Sequence, residues 1–434
     1  MKRRFLLAAP ALLPFAAHAG ALSAREAGVV PDSGRDESAA LQALLRRAAR
    51  EGRPVALARG TYVASNLELP EGSEIHGHGA TLRYGGDGAF MAGKGGRLRL
   101  YGLRFDGAGL RVLDPRAGLL TLRDCADLVL EDCAFENAAG VGLRLERCGG
   151  VVQGCRFERI GGLAALFSLD ATGLALRGNT VRDAADGGIL VHRSEPGKDG
   201  TLVEGNRIER VRADSGGTGP YGNGVNTYLA HGVKIANNHV SLCAFSAIRC
   251  HSASDATITG NTALGSGETA LYAEFDFQGA VIANNMVRGA GMGISIANFM
   301  QGGRLAVCAN NVVRDVANQG PYPAENAGFG HGIFAEADTA VTGNVVDGAA
   351  RWGIALGWGP YLRDVAVTGN VVRDAQVGVA VSVAEGAGAA LIADNVLRAR
   401  AGAVVGHRWR ERATGDLARG GDVPTHLTVT GNRA

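Results

Sequence analysis

The chain has 434 residues, with 44 Lys and Arg set against 42 Asp and Glu, 66 Gly and 12 Pro. Near-neutrality excludes a protein built around nucleic acid, which needs a basic footprint, and glycine without a three-residue period and with little proline excludes collagen. A hydrophobic content of 46% excludes general disorder, and after the first 20 residues no apolar run long enough to span a membrane occurs.

Residues 1–21 read as an export signal: Lys2, Arg3 and Arg4, then an apolar run over 5–17 and a small-residue cleavage site. Arg3-Arg4 ahead of Phe5-Leu6-Leu7 suggests the twin-arginine route, although the single residue that usually separates the two parts is missing. A periplasmic or secreted location follows as the expectation, with 22–434 as one domain. Residues 36–51 form an amphipathic pattern that stops at Gly52, which predicts a capping helix.

From there the chain repeats. The pattern apolar-x-apolar-x-Gly-Asn-x-apolar has clear copies starting at Leu174, Leu202, Val233, Ala256, Val281, Ala306, Ala340, Val365, Leu391 and Leu427, and weaker ones at Leu98, Leu128 and Val151. Its Asn residues stand at 179, 206, 238, 261, 285, 311, 344, 370 and 395. Period-2 alternation inside repeats of roughly 22–27 residues predicts stacked coils of strand, not helical repeats. The expected fold is all-β: a single-stranded right-handed parallel β-helix of about 12 coils, each with three short strands and stacked at about 4.8 Å, closed by the N-terminal helix. The Asn column is read as structural, through stacked amides and tolerance of left-handed turns.

Seven cysteines accompany the repeat. Cys125/Cys148 and Cys133/Cys155 each recur at about one repeat, so stacking brings each pair within disulfide reach, while buried thiols are the equal alternative. Residues 408–426 lack the pattern and are expected to be irregular, covering the far end or a flank.

A resemblance is carried by the capping segment. Ala40-Leu41-Gln42-Ala43-Leu44-Leu45, Gly60-Thr61-Tyr62 and Leu69-Pro70-Glu71-Gly72-Ser73-Glu74-Ile75-His76-Gly77 resemble the N-terminal cap and first coils of the pectate-lyase-like superfamily. Together with Cys243-Ala244-Phe245-Ser246-Ala247 and Ala270-Leu271-Tyr272-Ala273-Glu274-Phe275, the whole chain resembles the twin-arginine-translocated repetitive proteins. That resemblance implies export and a β-helix; it implies no activity.

Chemistry is sought where the repeat is interrupted. Two repeats are too long, with extra residues at 214–224 (around Tyr221 and Asn223) and 318–332 (around Tyr322 and His331). Both enter between the second and third strands, so both should protrude from one face, four coils apart, as walls of a cleft. Gly330-His331-Gly332 resembles a polygalacturonase motif, but that family's Asn-Thr-Asp, Asp-Asp and Arg-Ile-Lys elements are missing.

Alternation along the third strands turns Ile189/Val191, Val225/Thr227, Ile248/Cys250, Leu271/Ala273 and Ile294/Ile296 inward. The intervening positions should face solvent: Leu190/His192, Asn226/Tyr228, Arg249/His251, Tyr272/Glu274, Ser295/Ala297 and Phe334/Glu336, with Asn298 just beyond. Polar and aromatic side chains thus concentrate between the two insertions, and a polysaccharide is the expected partner.

Two chemistries compete. For a uronate lyase or C5-epimerase, Arg249 would neutralise the sugar carboxylate, His251 would remove the C5 proton and Tyr272 would act from the other side. For an inverting glycoside hydrolase, Glu274 and Glu336 would flank the bond at about 9.6 Å, near the upper end of the inverting range. The first is favoured; a non-catalytic polysaccharide-binding rod is the third reading. Tyr221, Asn223, Asn226, Tyr228, Asn298, Tyr322, His331 and Phe334 are the expected substrate contacts. No cofactor is expected, although Glu274 with Asp276 could hold calcium. Trp352 and Trp358 read as packing against the loop at Tyr361, with a sugar platform as the alternative. The bland apolar stack Ala355, Ala380 and Val404 needs covering, by 408–426 or by self-association.

Overall fold

The computed structural model describes residues 20–434 except 218 and 324–327; the signal segment therefore lies, up to residue 19, outside the described residues. The fold is a parallel β-helix. One 16-stranded sheet collects the strand that carries each Gly-Asn copy, and strands that adjoin it in space are a full coil apart in sequence. Every copy read from the sequence is a rung of this ladder, from Arg97–Tyr101 to Leu427–Thr430, and three further rungs precede them at Leu22–Ser23, Val55–Ala56 and Glu74–His76. A well-formed coil runs Leu202–Glu204, Arg207–Val211 and Asn223–His231; elsewhere the second and third strands fuse, as in Thr262–Glu274.

Alternation explains the core. Inward positions stack like on like: Phe105, Phe135 and Phe157 pair in register, their rings 4.9 and 5.0 Å apart and nearly parallel. Each coil thereby buries its apolar face on the next, which none could do alone.

The Asn column forms an unbroken amide ladder. Asn179 donates its side-chain amide to the Oδ1 of Asn206, and the same bond recurs through Asn238, Asn261, Asn285, Asn311, Asn344, Asn370 and Asn395 to Asn432. One expectation is corrected. The ladder Asn residues are not left-handed; the residue before each is, as at Gly178 (φ 59°) and Gly205 (φ 64°), or at Asn237 (φ 57°). The turn needs its positive φ one position earlier, which leaves the Asn side chain free to point inward. Cys155 continues the column, its N–H donating to Asn179 Oδ1 at 2.9 Å. All seven cysteines are buried, free thiols.

The capping helix, α1, spans Ser38–Glu51 and lays Leu41, Leu44, Leu45 and Ala48 on the first coils. It begins two residues later than expected: Asp36 is held in a parallel bridge to Val63, and its Oδ1 accepts the Ser38 N–H at 2.9 Å. It ends where expected, at left-handed Gly52. The C-terminal segment is corrected too: Glu411–Asp416 is an ordered strand, antiparallel to Val404–Arg408. No helix among the described residues is long and apolar enough to cross a membrane.

Candidate functional site

The third strands carry the site. Their register runs Asn226, Arg249, Tyr272, Ser295, Phe334, Ala355, Ala380, Val405 in one column and His192, Tyr228, His251, Glu274 in the next. The long loops, 212–222 and 317–330, enter before the strands at Asn223 and His331, four rungs apart. To this point the sequence reading holds.

Exposure does not. Asn226, Arg249, Glu274 and Glu336 are 3%, 8%, 2% and 6% exposed, although their positions face away from the core. The cause is that both loops lean inward over the columns. The Gly219 carbonyl in the first loop accepts from Asn223 Nδ2 at 2.8 Å, Asn226 Nδ2 at 3.3 Å and an Arg249 terminal nitrogen at 3.0 Å. In the second, the Tyr322 hydroxyl donates to Glu268, two coils back, and Phe329 packs on the Tyr322 ring at 5.2 Å. Glu268 also accepts from Ser246 Oγ at 3.2 Å. The expected open cleft is replaced by two loops clamped over its floor.

These clamps reassign several residues. The Arg249 guanidinium pairs with the Glu274 carboxylate below the loops, so its charge is already neutralised. Burial raises the Glu274 carboxyl above its ordinary range despite that arginine. Engaged this way, Glu274 is not open to the calcium considered with Asp276; among the described residues no group of three or more His, Cys, Asp or Glu is suited to a metal. Asn223 is fully buried and bonds its own loop, including the Tyr221 carbonyl at 3.0 Å. Tyr221 lies over Gly216 in that loop. His251 sits between the rings of Tyr228 (5.0 Å) and Phe275 (4.2 Å); burial and the Arg249 charge hold it down to about 4, so it is neutral at pH 7. Tyr228 stays exposed.

The remaining expected residues meet in a cavity of about 260 Å³ that the second loop helps to line. Tyr272, Asn298, Tyr322, His331, Phe334 and Glu336 all line it. Glu336 accepts the Phe299 N–H at 2.6 Å, and burial pushes its carboxyl up to about 7. Burial and nearby carboxylates keep the Tyr272 phenol protonated far above the usual range. His331 is stacked on Trp352 at 4.5 Å, 2% exposed, and held down to about 3 by burial; neither ring nitrogen has a partner among the described residues.

Sequence reasoning missed Glu268 and Arg410, which line the same cavity, and ranked packing above a sugar-contacting role for Trp358, which lines it too. Glu268 stands just ahead of the third-strand pattern, where alternation no longer assigns a face. Arg410 lies in the segment without a repeat, at the tip of the C-terminal hairpin, above the Trp358 ring at 5.7 Å. Trp358 does bridge to Tyr361 as expected, but it also walls the cavity, whereas Trp352 is packing alone.

The apolar stack is likewise corrected by one residue. Ala380 pairs with Val405, not Val404, which faces the core beside Val379. Ala355, Ala380 and Val405 are buried with Phe334, Trp352 and Val377 in a second apolar cluster outside the coil interior, against which Trp358 packs. The chain covers this stack itself, so it offers no face for self-association.

A family description, right handed beta helix region, matches residues 61–208, 164–312 and 198–372. Similar solved structures include the pre-mature bacteriophage phi29 gene product 12 (TM-score 0.55, 13% identity, covering 89% of this chain and 55% of that one). Another is the A-module of an Azotobacter vinelandii mannuronan C-5 epimerase (TM-score 0.51, 12% identity, covering 82% and 95%). A Streptococcus pneumoniae surface adhesin is more distant in shape (TM-score 0.45, 13% identity, covering 95% and 91%). At such identities the likeness is one of fold. No curated protein matches the sequence.

Proposed function

The chain belongs to the family of right-handed β-helix regions, a fold that assigns no chemistry by itself, and we propose that its cavity binds and modifies an extracellular or periplasmic polysaccharide. The substrate is a uronate-containing polymer and the reaction is proton transfer at C5, ending in elimination (lyase) or inversion (C5-epimerase). The observation that carries this reading is Glu336: a carboxyl pushed up to about 7, in a cavity that also holds a phenol. A group poised near neutrality both accepts and returns a proton efficiently. Glu336 is the base, and the Tyr272 hydroxyl is the opposing acid.

Arg249, Glu274 and Asn226 act as positioning residues in this reading, because they fix the first loop and the floor under Tyr272. The inverting hydrolase reading is weaker, since Glu274 is held by Arg249 and does not line the cavity with Glu336. The twin-arginine export reading stands as a proposal on Arg3-Arg4 and the apolar run after it.

The test is incubation of the mature protein with a panel of uronate polysaccharides. Ultraviolet-absorbing unsaturated ends identify a lyase, and solvent-proton exchange at C5 without cleavage identifies an epimerase. Reducing ends without absorbance would replace this reading by hydrolysis. No change on any polymer would overturn the enzymatic reading in favour of a binding rod.

A further inference from the structure

Arg410 lines the cavity, and Arg351, from a distant segment, packs against Gly330 between the lining residues Phe329 and His331. Arg351 directly precedes the strand Trp352–Leu356, and Arg410 lies in the turn between Val404–Arg408 and Glu411–Asp416. Both are half-buried. Each guanidinium lies over an indole, Arg351 above Trp352 at 5.2 Å and Arg410 above Trp358 at 5.7 Å. Most arginines along the coils bridge to a carboxylate on a neighbouring rung, as Arg363 does to Asp338 and Arg400 does to Asp374. Among the described residues neither Arg351 nor Arg410 has such a partner. Burial and then Arg410 disfavour the charge on Arg351, and burial followed by Arg351, His407 and Arg410 disfavours it on His331. The carboxyl groups that line the cavity are engaged elsewhere, Glu268 by Tyr322 and Ser246 and Glu336 by the Phe299 N–H, and two half-buried like charges without an ion-pair partner favour an anion.

A second observation points to the same place. His331 lines the cavity, is 2% exposed, and leaves both ring nitrogens without a partner among the described residues. A buried polar group in that state costs stability unless a ligand or water satisfies it. The cavity itself is about 260 Å³, just under the ~300–1,000 Å³ of pockets that hold larger ligands. Tyr322, Phe329, Trp358 and Arg410 are among the residues that line it. That is room for about one sugar ring.

We propose that Arg351 and Arg410 form a carboxylate-binding subsite beside this cavity, that His331 bonds the same sugar, and that the unit bound is a single uronate residue. The proposal rests on the polysaccharide reading above and names its specificity. Guanidinium forks match a carboxylate in two-point geometry, which separates a uronate from the corresponding neutral sugar.

Calorimetric titration of the mature protein with D-galacturonate, D-mannuronate and D-galactose tests it. At least one uronate should bind ten times or more tighter than galactose, and added salt should narrow the gap. The double variant Arg351→Gln, Arg410→Gln should lose the preference, and the Lys counterparts, which keep the charge but not the fork, should retain part of it. Thermal scans of all variants separate lost binding from lost folding. Equal or absent binding of acid and neutral sugars by the native protein overturns the subsite, as does a preference that survives the double variant. Arginine-dependent uronate binding with no turnover on any polymer would leave the subsite standing while the proton-transfer reading falls; turnover indifferent to both arginines would do the reverse.

Discussion

At the scale of the residue, Glu336 shows how burial converts a common side chain into a reagent. Its carboxyl is pushed from 4.5 up to about 7 because desolvation outweighs the bonds it accepts from backbone N–H groups. The linkage sign follows. Below pH 4.5 Glu336 is neutral whether folded or unfolded; as pH rises toward 7 the unfolded chain ionises first, so stability falls across that interval. The full effect is on the order of 3 kcal/mol. His331, held down to about 3, and His192 and His251, held down to about 4, act in the opposite sense. Their stabilisation is present above about pH 6.5 and is lost as pH falls toward 4 and 3. Glu336→Gln should therefore flatten the loss of melting temperature between pH 5 and 7.5 while leaving the acid arm in place. It should also lower turnover by about 10²–10⁴-fold; a variant with undiminished turnover would remove Glu336 from the chemistry.

At the scale of the element, the Asn ladder and the two loops divide stability from function. Asn261 donates to Ile235 O and Asn285 Oδ1, and its Oδ1 accepts from the Asn238 backbone and side chain. Asn261→Ala would strand several buried groups at once, at about 1–3 kcal/mol for each one left unsatisfied. Asn432→Ala, at the open end of the ladder, should cost under about 1 kcal/mol because water can replace its partners. Denaturant midpoints of the two variants check this, and equal losses would deny that burial sets the cost. The ladder was legible in the sequence because a Gly-Asn pair recurs at the coil period. The inward lean of the loops was not, because it depends on single long-range bonds: Gly219 to Arg249, and Tyr322 to Glu268.

At the scale of the whole molecule, a solenoid must close its ends, since an open coil presents unpaired strand edges. Helix α1 closes one end with Leu41, Leu44, Leu45 and Ala48. Leu44→Asp should loosen that cap without reaching the cavity. The expected outcome is concentration-dependent association in size-exclusion chromatography with little change in ligand binding; a variant that stays monomeric at high concentration would show that the cap has no protective role. The C-terminal hairpin does a different job. Its second strand pairs antiparallel with Val404–Arg408, and its turn delivers Arg410 to the cavity.

The sequence by itself determined the coil, the rung order and the strand positions that would carry polar groups, because each of these depends on a pattern repeated within a few residues. Coil-on-coil stacking then follows from burying the alternating face. Only the tertiary structure decided which of those outward positions see solvent, which charges are already neutralised and where the cavity opens. Those outcomes depend on the described residues of segments without period, 212–217, 219–222, 317–323, 328–330 and 408–426, which are held by a few distant contacts that no local pattern encodes.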